Sequence, residues 1–139
     1  MLESRVMTKI ILAVLLLASL PQKSAQNDPN GTWQTDSGTK FELRLTGSDL
    51  KVQLVEGSTP LYVKYEVDLK NVGDPNRYEG KGYFVANLQE KQCRFDTNWR
   101  VIVVQPGIIA GFISHVVPDP ATCEVRDRTD EFVQLRKTK

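Results

Sequence analysis

Leu61-Tyr62-Val63-Lys64-Tyr65-Glu66-Val67-Asp68-Leu69 alternates strictly between apolar and polar side chains. Side chains of a β-strand point to opposite faces in turn, so this stretch predicts a strand with one face buried. Leu61, Val63, Tyr65, Val67 and Leu69 fall on that buried face. Tyr62, Lys64, Glu66 and Asp68 fall on the other. Upstream, Phe41, Leu43 and Leu45 alternate in the same way, and after the turn Gly47-Ser48-Asp49 so do Leu50, Val52 and Leu54. Two such runs across a glycine turn predict a hairpin.

The pattern continues downstream. After the break at Asn71-Val72-Gly73-Asp74-Pro75-Asn76, residues 77–89 place Tyr78, Gly80, Gly82, Phe84, Ala86 and Leu88 on one side. Residues 92–97 and 99–105 read as one bent strand or two short ones. Pro106-Gly107 makes a turn, residues 108–117 form a further strand, and residues 122–128 and 131–136 complete the meander. Outside the N-terminus no stretch sustains helical apolar spacing. Short strands at intervals of about ten residues predict an all-β fold. The expectation is a single up-and-down antiparallel β-barrel of about eight strands, with a β-sandwich as the alternative.

The N-terminus has a different character. Arg5 and Lys9 precede an uninterrupted apolar core at residues 10–20, and Ser24-Ala25 supplies small residues beyond it. A positive flank, short apolar core and small-residue exit describe a secretory signal peptide. The 11-residue core is too short for the roughly 20 apolar residues that span a bilayer. Residues 1–25 are therefore read as a signal peptide and residues 26–139 as one β-barrel domain, giving a secreted or periplasmic product without an integral membrane segment.

Of 18 basic and 17 acidic side chains, Arg5, Lys9, Lys23 and Glu3 lie in the leader, which leaves 15 and 16. Such a balanced chain has no electrostatic reason to seek nucleic acid or an anionic membrane. Composition does not fix an oligomeric state. Two cysteines, Cys93 and Cys123, are present. An oxidising compartment favours their pairing, since neither a C-x-x-C arrangement nor an activating histidine marks a reactive thiol. Closing a loop of about 30 residues stabilises a fold by roughly 3–4 kcal/mol in the chain-entropy model.

Gly31-Thr32-Trp33, at the entry of the first strand, resembles the G-x-W signature of the calycin group, which includes lipocalins, fatty-acid-binding proteins and avidins. The resemblance implies that Gly31 and Trp33 plug one end of a barrel. It also implies a basic side chain from a late strand over the indole, a part for Arg126, Arg128 or Arg136. The longer string Gly31-Thr32-Trp33-Gln34-Thr35-Asp36-Ser37-Gly38-Thr39-Lys40-Phe41 is similar to the opening of avidins. Thr35 stands where that family carries a biotin-binding asparagine, and Thr39 matches its hydroxyl position. Avidins line their pocket with several later tryptophans, whereas this chain has only Trp99, so biotin is not the expected ligand.

Catalytic equipment is sparse. His115 is the only histidine, so it is the only imidazole for a base or a haem iron; the plainer reading is a strand histidine facing solvent. One histidine without a clustered thiolate or carboxylate set builds no zinc site. No G-x-S-x-G elbow or phosphate-cradling glycine loop occurs. Asp127, Asp130 and Glu131 cluster as in a solvated turn. Asn30-Gly31-Thr32 matches an N-glycosylation acceptor.

These readings assign no catalytic, cofactor-binding or metal-binding residue and no cofactor. Tyr62, Tyr83, Trp99 and His115 are the candidates for a pocket or its rim. Gly80, Gly82 and Gly111 are expected to enlarge the interior by omitting side chains. The expected function is that of an exported, non-catalytic binding protein enclosing a small apolar or amphipathic ligand. The alternative is a protein-interaction module, such as an inhibitor or assembly factor of the cell envelope. That alternative would present residues 73–77 or 117–122 to an envelope protein.

Overall fold

Eight antiparallel strands follow one another around a closed barrel in the computed structural model, which describes residues 27–138. The leader reading at residues 1–25 lies outside the described residues. The strands are β1 (Gly31–Thr35), β2 (Lys40–Thr46), β3 (Asp49–Leu54), β4 (Tyr62–Asn71), β5 (Arg77–Leu88), β6 (Lys91–Gln105), β7 (Ile108–Pro118) and β8 (Val125–Lys137). Each pairs with the next, and β1 closes the ring on β8 through Trp33 opposite Lys137 and Thr35 opposite Leu135. The up-and-down topology is the one expected from the sequence, and no helix is present among the described residues.

Alternation fixes which side chains fill the interior. β6 is one continuous strand of 15 residues. From it Cys93, Phe95, Thr97, Trp99, Val101 and Val103 point inward, while every intervening residue is exposed. Leu43, Leu50, Val52, Val67, Leu69, Tyr78, Ile109 and Leu135 complete a dense base. That base lies at the end of the barrel where the β2–β3, β4–β5 and β6–β7 turns meet the entering chain. There Asn27 N–H donates to Asn76 Oδ1 at 3.0 Å.

The glycines of β5 and β7 act differently from the expectation. A Cβ at Gly80 would run into the Asp68 carbonyl, one at Gly82 into the Glu66 carbonyl, and one at Gly111 into the Arg100 carbonyl. These positions let neighbouring strands approach closely where the sheet coils, and they add no room to the interior.

Two departures from plain alternation shape the other end of the barrel. A bulge between Tyr62 and Lys64 shifts the register of β4 against β5. It reverses the expected facing at the strand's start: Leu61 and Val63 are each 47% exposed, while Tyr62 turns in among the core rings. A bulge places two residues opposite one, so everything before it changes sides.

The second departure is a parting of β6 from β7. Their ladder covers Trp99 to Gln105 on β6 and ends at Trp99 opposite Ile113. Beyond it the β7–β8 hairpin leans away, and side chains span the gap. Ser114 Oγ accepts from Asn98 N–H at 3.2 Å, and Arg128 Nη1 donates to the Asp96 carbonyl at 2.7 Å. A disulfide between Cys93 and Cys123 ties the hairpin tip to β6.

Candidate functional site

The leaning hairpin leaves a half-open cavity of about 280 Å³ at the end opposite the dense base. Its floor is Trp99, whose indole Nε1–H donates to the Tyr65 hydroxyl at 3.1 Å. Phe41, Tyr62, Phe84 and Phe95 form the walls with Tyr65. These rings pack mainly edge to face: Phe41 meets Tyr65 at 5.1 Å and Trp99 at 5.4 Å, and Tyr62 meets Phe84 at 5.4 Å between centroids. Such contacts suit the ring quadrupole and hold each ring in one orientation. The walls are therefore preformed.

Apart from the bonded Trp99–Tyr65 pair at the floor, the polar groups of the lining stand on two sides of the space, with Thr39 and Ser114 buried. On one side the β1–β2 turn brings Thr35, Ser37 and Thr39 to the opening. Thr35 Oγ1 and Ser37 Oγ share a hydrogen bond of 2.9 Å, and Thr35 Oγ1 also accepts from Thr39 N–H at 3.1 Å. On the other side stand Ser114, His115 and Glu131. His115 Nδ1 lies 3.2 Å from Glu131 Oε2, with both side chains largely exposed.

Burial pushes the Tyr65 hydroxyl up to about 12, against a smaller opposing pull from the neighbouring Thr97 hydroxyl and the Trp99 indole N–H. Thr97 Oγ1 is itself buried without a hydrogen bond of good geometry. Tyr62 is raised as well, first by burial and then by the negative charge of Glu131. Both phenols are thus held in their neutral, hydrogen-bonding form across the physiological range.

Of the four residues singled out in the sequence, Tyr62, Trp99 and His115 line this one cavity. Tyr83 does not. It pairs with Glu66 and Asp96 on the outer face, donates to Glu66 Oε2 at 3.3 Å, and carries the Arg94 guanidinium 3.9 Å from its ring centroid. Its place on β5 is odd-numbered, whereas Phe84 and Ala86 set the inward face. The avidin-like string does bring Thr35 and Thr39 to the mouth. The sequence does not mark Ser37 and Glu131 as rim residues, because a turn serine and an acidic cluster carry no signal of what lies across a barrel.

Trp33 is fully buried at the first strand and donates from Nε1 to the Pro29 carbonyl at 2.8 Å. The cation over its ring is Lys137, with Nζ 5.7 Å from the centroid. None of the three arginines takes that place. Arg136 stands opposite Gln34, whereas Lys137 stands opposite Trp33 and shares its facing. Arg126 instead binds Asp119 at 2.8 Å, and Arg128 binds the β6 backbone. Asn30 is also committed: its Oδ1 accepts from Leu45 N–H at 2.7 Å and its Nδ2 donates to Asp28 at 2.8 Å.

The His115–Glu131 contact has the form of a base held by an orienting carboxylate. Among the described residues no hydroxyl or thiol is hydrogen-bonded to that imidazole, and the adjacent Ser114 is turned to the Asn98 backbone. Nor do the described residues contain three or more His, Cys, Asp or Glu side chains grouped to hold a metal ion. What the arrangement offers chemically is enclosure: a rigid apolar bowl with a hydrogen-bonding lip. Comparison with protein-family models, with curated proteins and with solved structures returned no match.

Proposed function

We propose that this chain is an exported, non-catalytic binding barrel of calycin type that encloses one small apolar or amphipathic molecule. The observation that carries this reading is the cavity of about 280 Å³ walled by preformed aromatic rings at one end of an otherwise filled barrel. Apolar pockets with few convergent polar groups are the usual form of small-molecule sites. An apolar cavity of about 150 Å³ holds a benzene ring, so this one suits one or two fused rings or a ring with a short chain. The disulfide and the apolar leader at residues 10–20 support a secreted or periplasmic site of action.

Native mass spectrometry of the protein purified from its own host, before and after denaturation, tests the reading. An adduct that departs on unfolding is expected, and binding of a naphthalene-based probe is expected to be lost in Leu61→Trp. Leu61 sits half-exposed at the mouth, so a larger ring there narrows the opening while the core is left intact. A protein that carries no adduct and binds no apolar probe would overturn enclosure.

A second reading, the protein-interaction module, is favoured by a stripe on the outer face. Phe112 and Phe132 are exposed and packed together at 5.7 Å, with Ile102 and Val104 also exposed on the adjoining strand. Contiguous apolar surface of this kind marks contact sites. Loss of a captured envelope partner in Phe132→Ser, with the cavity still binding its probe, would favour that reading.

A further inference from the structure

We propose that the cavity selects a small aromatic amine, with its rings in the bowl and its ammonium group at the rim beside Glu131, and rejects the corresponding carboxylates. This rests on the enclosure reading and specifies its ligand class. The first support is the charge of the lining. Glu131 is its only carboxylate, and among the described residues no lysine or arginine lines the cavity. A bound carboxylate would find His115 as the only basic side chain of the lining among the described residues, already paired with Glu131 at 3.2 Å, and would face the Glu131 charge. An ammonium would gain that charge at a distance set by the rim.

The second support is the walls. Five rings besides the Trp99 floor surround the space, and aromatic faces attract a cation through their quadrupole. Tyr62 joins the two effects, since its ring is a wall and the Glu131 charge is felt at its hydroxyl. The third support is the state of the rim hydroxyls. Those of Thr35 and Ser37 bond to each other, and Ser114 bonds to the Asn98 backbone, which leaves fewer hydroxyls to meet an anion. Size fits as well: a naphthyl ring with a two-carbon arm matches a space of about 280 Å³.

Three probes of one shape separate the possibilities: 2-(1-naphthyl)ethylamine, 2-(1-naphthyl)ethanol and 1-naphthylacetate. They are titrated calorimetrically into the intact, disulfide-bonded protein at pH 8 and low salt. The amine is expected to bind about tenfold tighter than the alcohol, the sum of a modest cation–π and a rim charge contribution. The acetate is expected to bind more weakly than the alcohol. Glu131→Gln should cut the amine's advantage to the roughly threefold left by the cation–π contribution, while leaving the alcohol unchanged. That second result separates a lost charge from a damaged fold.

If the alcohol binds but the acetate equals or exceeds the amine, the selectivity is overturned and enclosure stands. The same holds if Glu131→Gln leaves the amine's advantage intact. If none of the three binds, both the selectivity and the enclosure reading fall.

Discussion

A methyl group added at Gly82 would meet the Glu66 carbonyl of the neighbouring strand, and one at Gly80 the Asp68 carbonyl. Backbone, unlike a flexible side chain, cannot swing aside. Gly82→Ala is therefore expected to destabilise the barrel by about 1–3 kcal/mol in urea titrations. Val63 gives the opposite expectation. The bulge turns it outward, so Val63→Thr should change stability by less than about 0.5 kcal/mol, whereas Val67→Ala, in the core, should cost roughly 2 kcal/mol or more. Equal costs at the two valines would refute the bulge. Tyr65 carries a pH signature. Its folded-state value near 12 lies above the ordinary 10.0, so the unfolded chain releases that proton first as pH rises. The stability it confers is intact below about pH 10 and is lost by roughly 2–3 kcal/mol between pH 10 and 12. Alkaline denaturation of Tyr65→Phe, compared with the parent, should lack that component.

At the scale of the strands, the parted β6–β7 seam makes the far end of the β7–β8 hairpin depend on side chains and one covalent bond. Replacing both Cys93 and Cys123 by serine is expected to cost about 3–4 kcal/mol in the chain-entropy model. Hydrogen exchange should then accelerate most between Ser114 and Asp130 and least at Ile109 to Ile113, where the β6 ladder continues. A uniform loss of protection would mean that the hairpin is held by something else. The strands themselves were legible in the sequence, because half-burial writes period two into Phe41–Leu43–Leu45 and Tyr78 through Leu88 as plainly as into β6. Alternation reports a facing, however, and says nothing about partners. Hence alternation alone puts residues 61–63 on the wrong side, since a bulge leaves no mark on the apolar pattern. For the same reason the cavity's polar rim, drawn from β1, β7 and β8, was visible only in part. Trp99, Tyr62 and His115 could be suspected one by one as aromatic or titratable groups. Their meeting depends on how far one hairpin leans.

Across the whole molecule, filled base and hollow mouth divide the interior by size of side chain. Trp33, Tyr78 and nine or so aliphatic residues occupy the base, and the mouth is ringed by aromatics whose rigid outlines leave a gap. A ligand in that gap binds only the folded barrel, so saturating probe at 100 times its Kd should add about 2.7 kcal/mol to stability and raise the melting temperature in proportion. An unchanged melting temperature at such saturation would mean that the unfolded chain binds the probe equally well, and would refute a site built by the fold. The ring is closed by its first and last strands, where Thr138 N–H donates to the Thr32 carbonyl at 2.8 Å across 106 positions of sequence. During synthesis, that closure comes last. Until the 13 residues of β8 have emerged, β1 and β7 each present a bare row of amides and carbonyls. A polypeptide halted just before them is no smaller barrel; it is an open sheet with two adhesive margins, ready to pair with its neighbours.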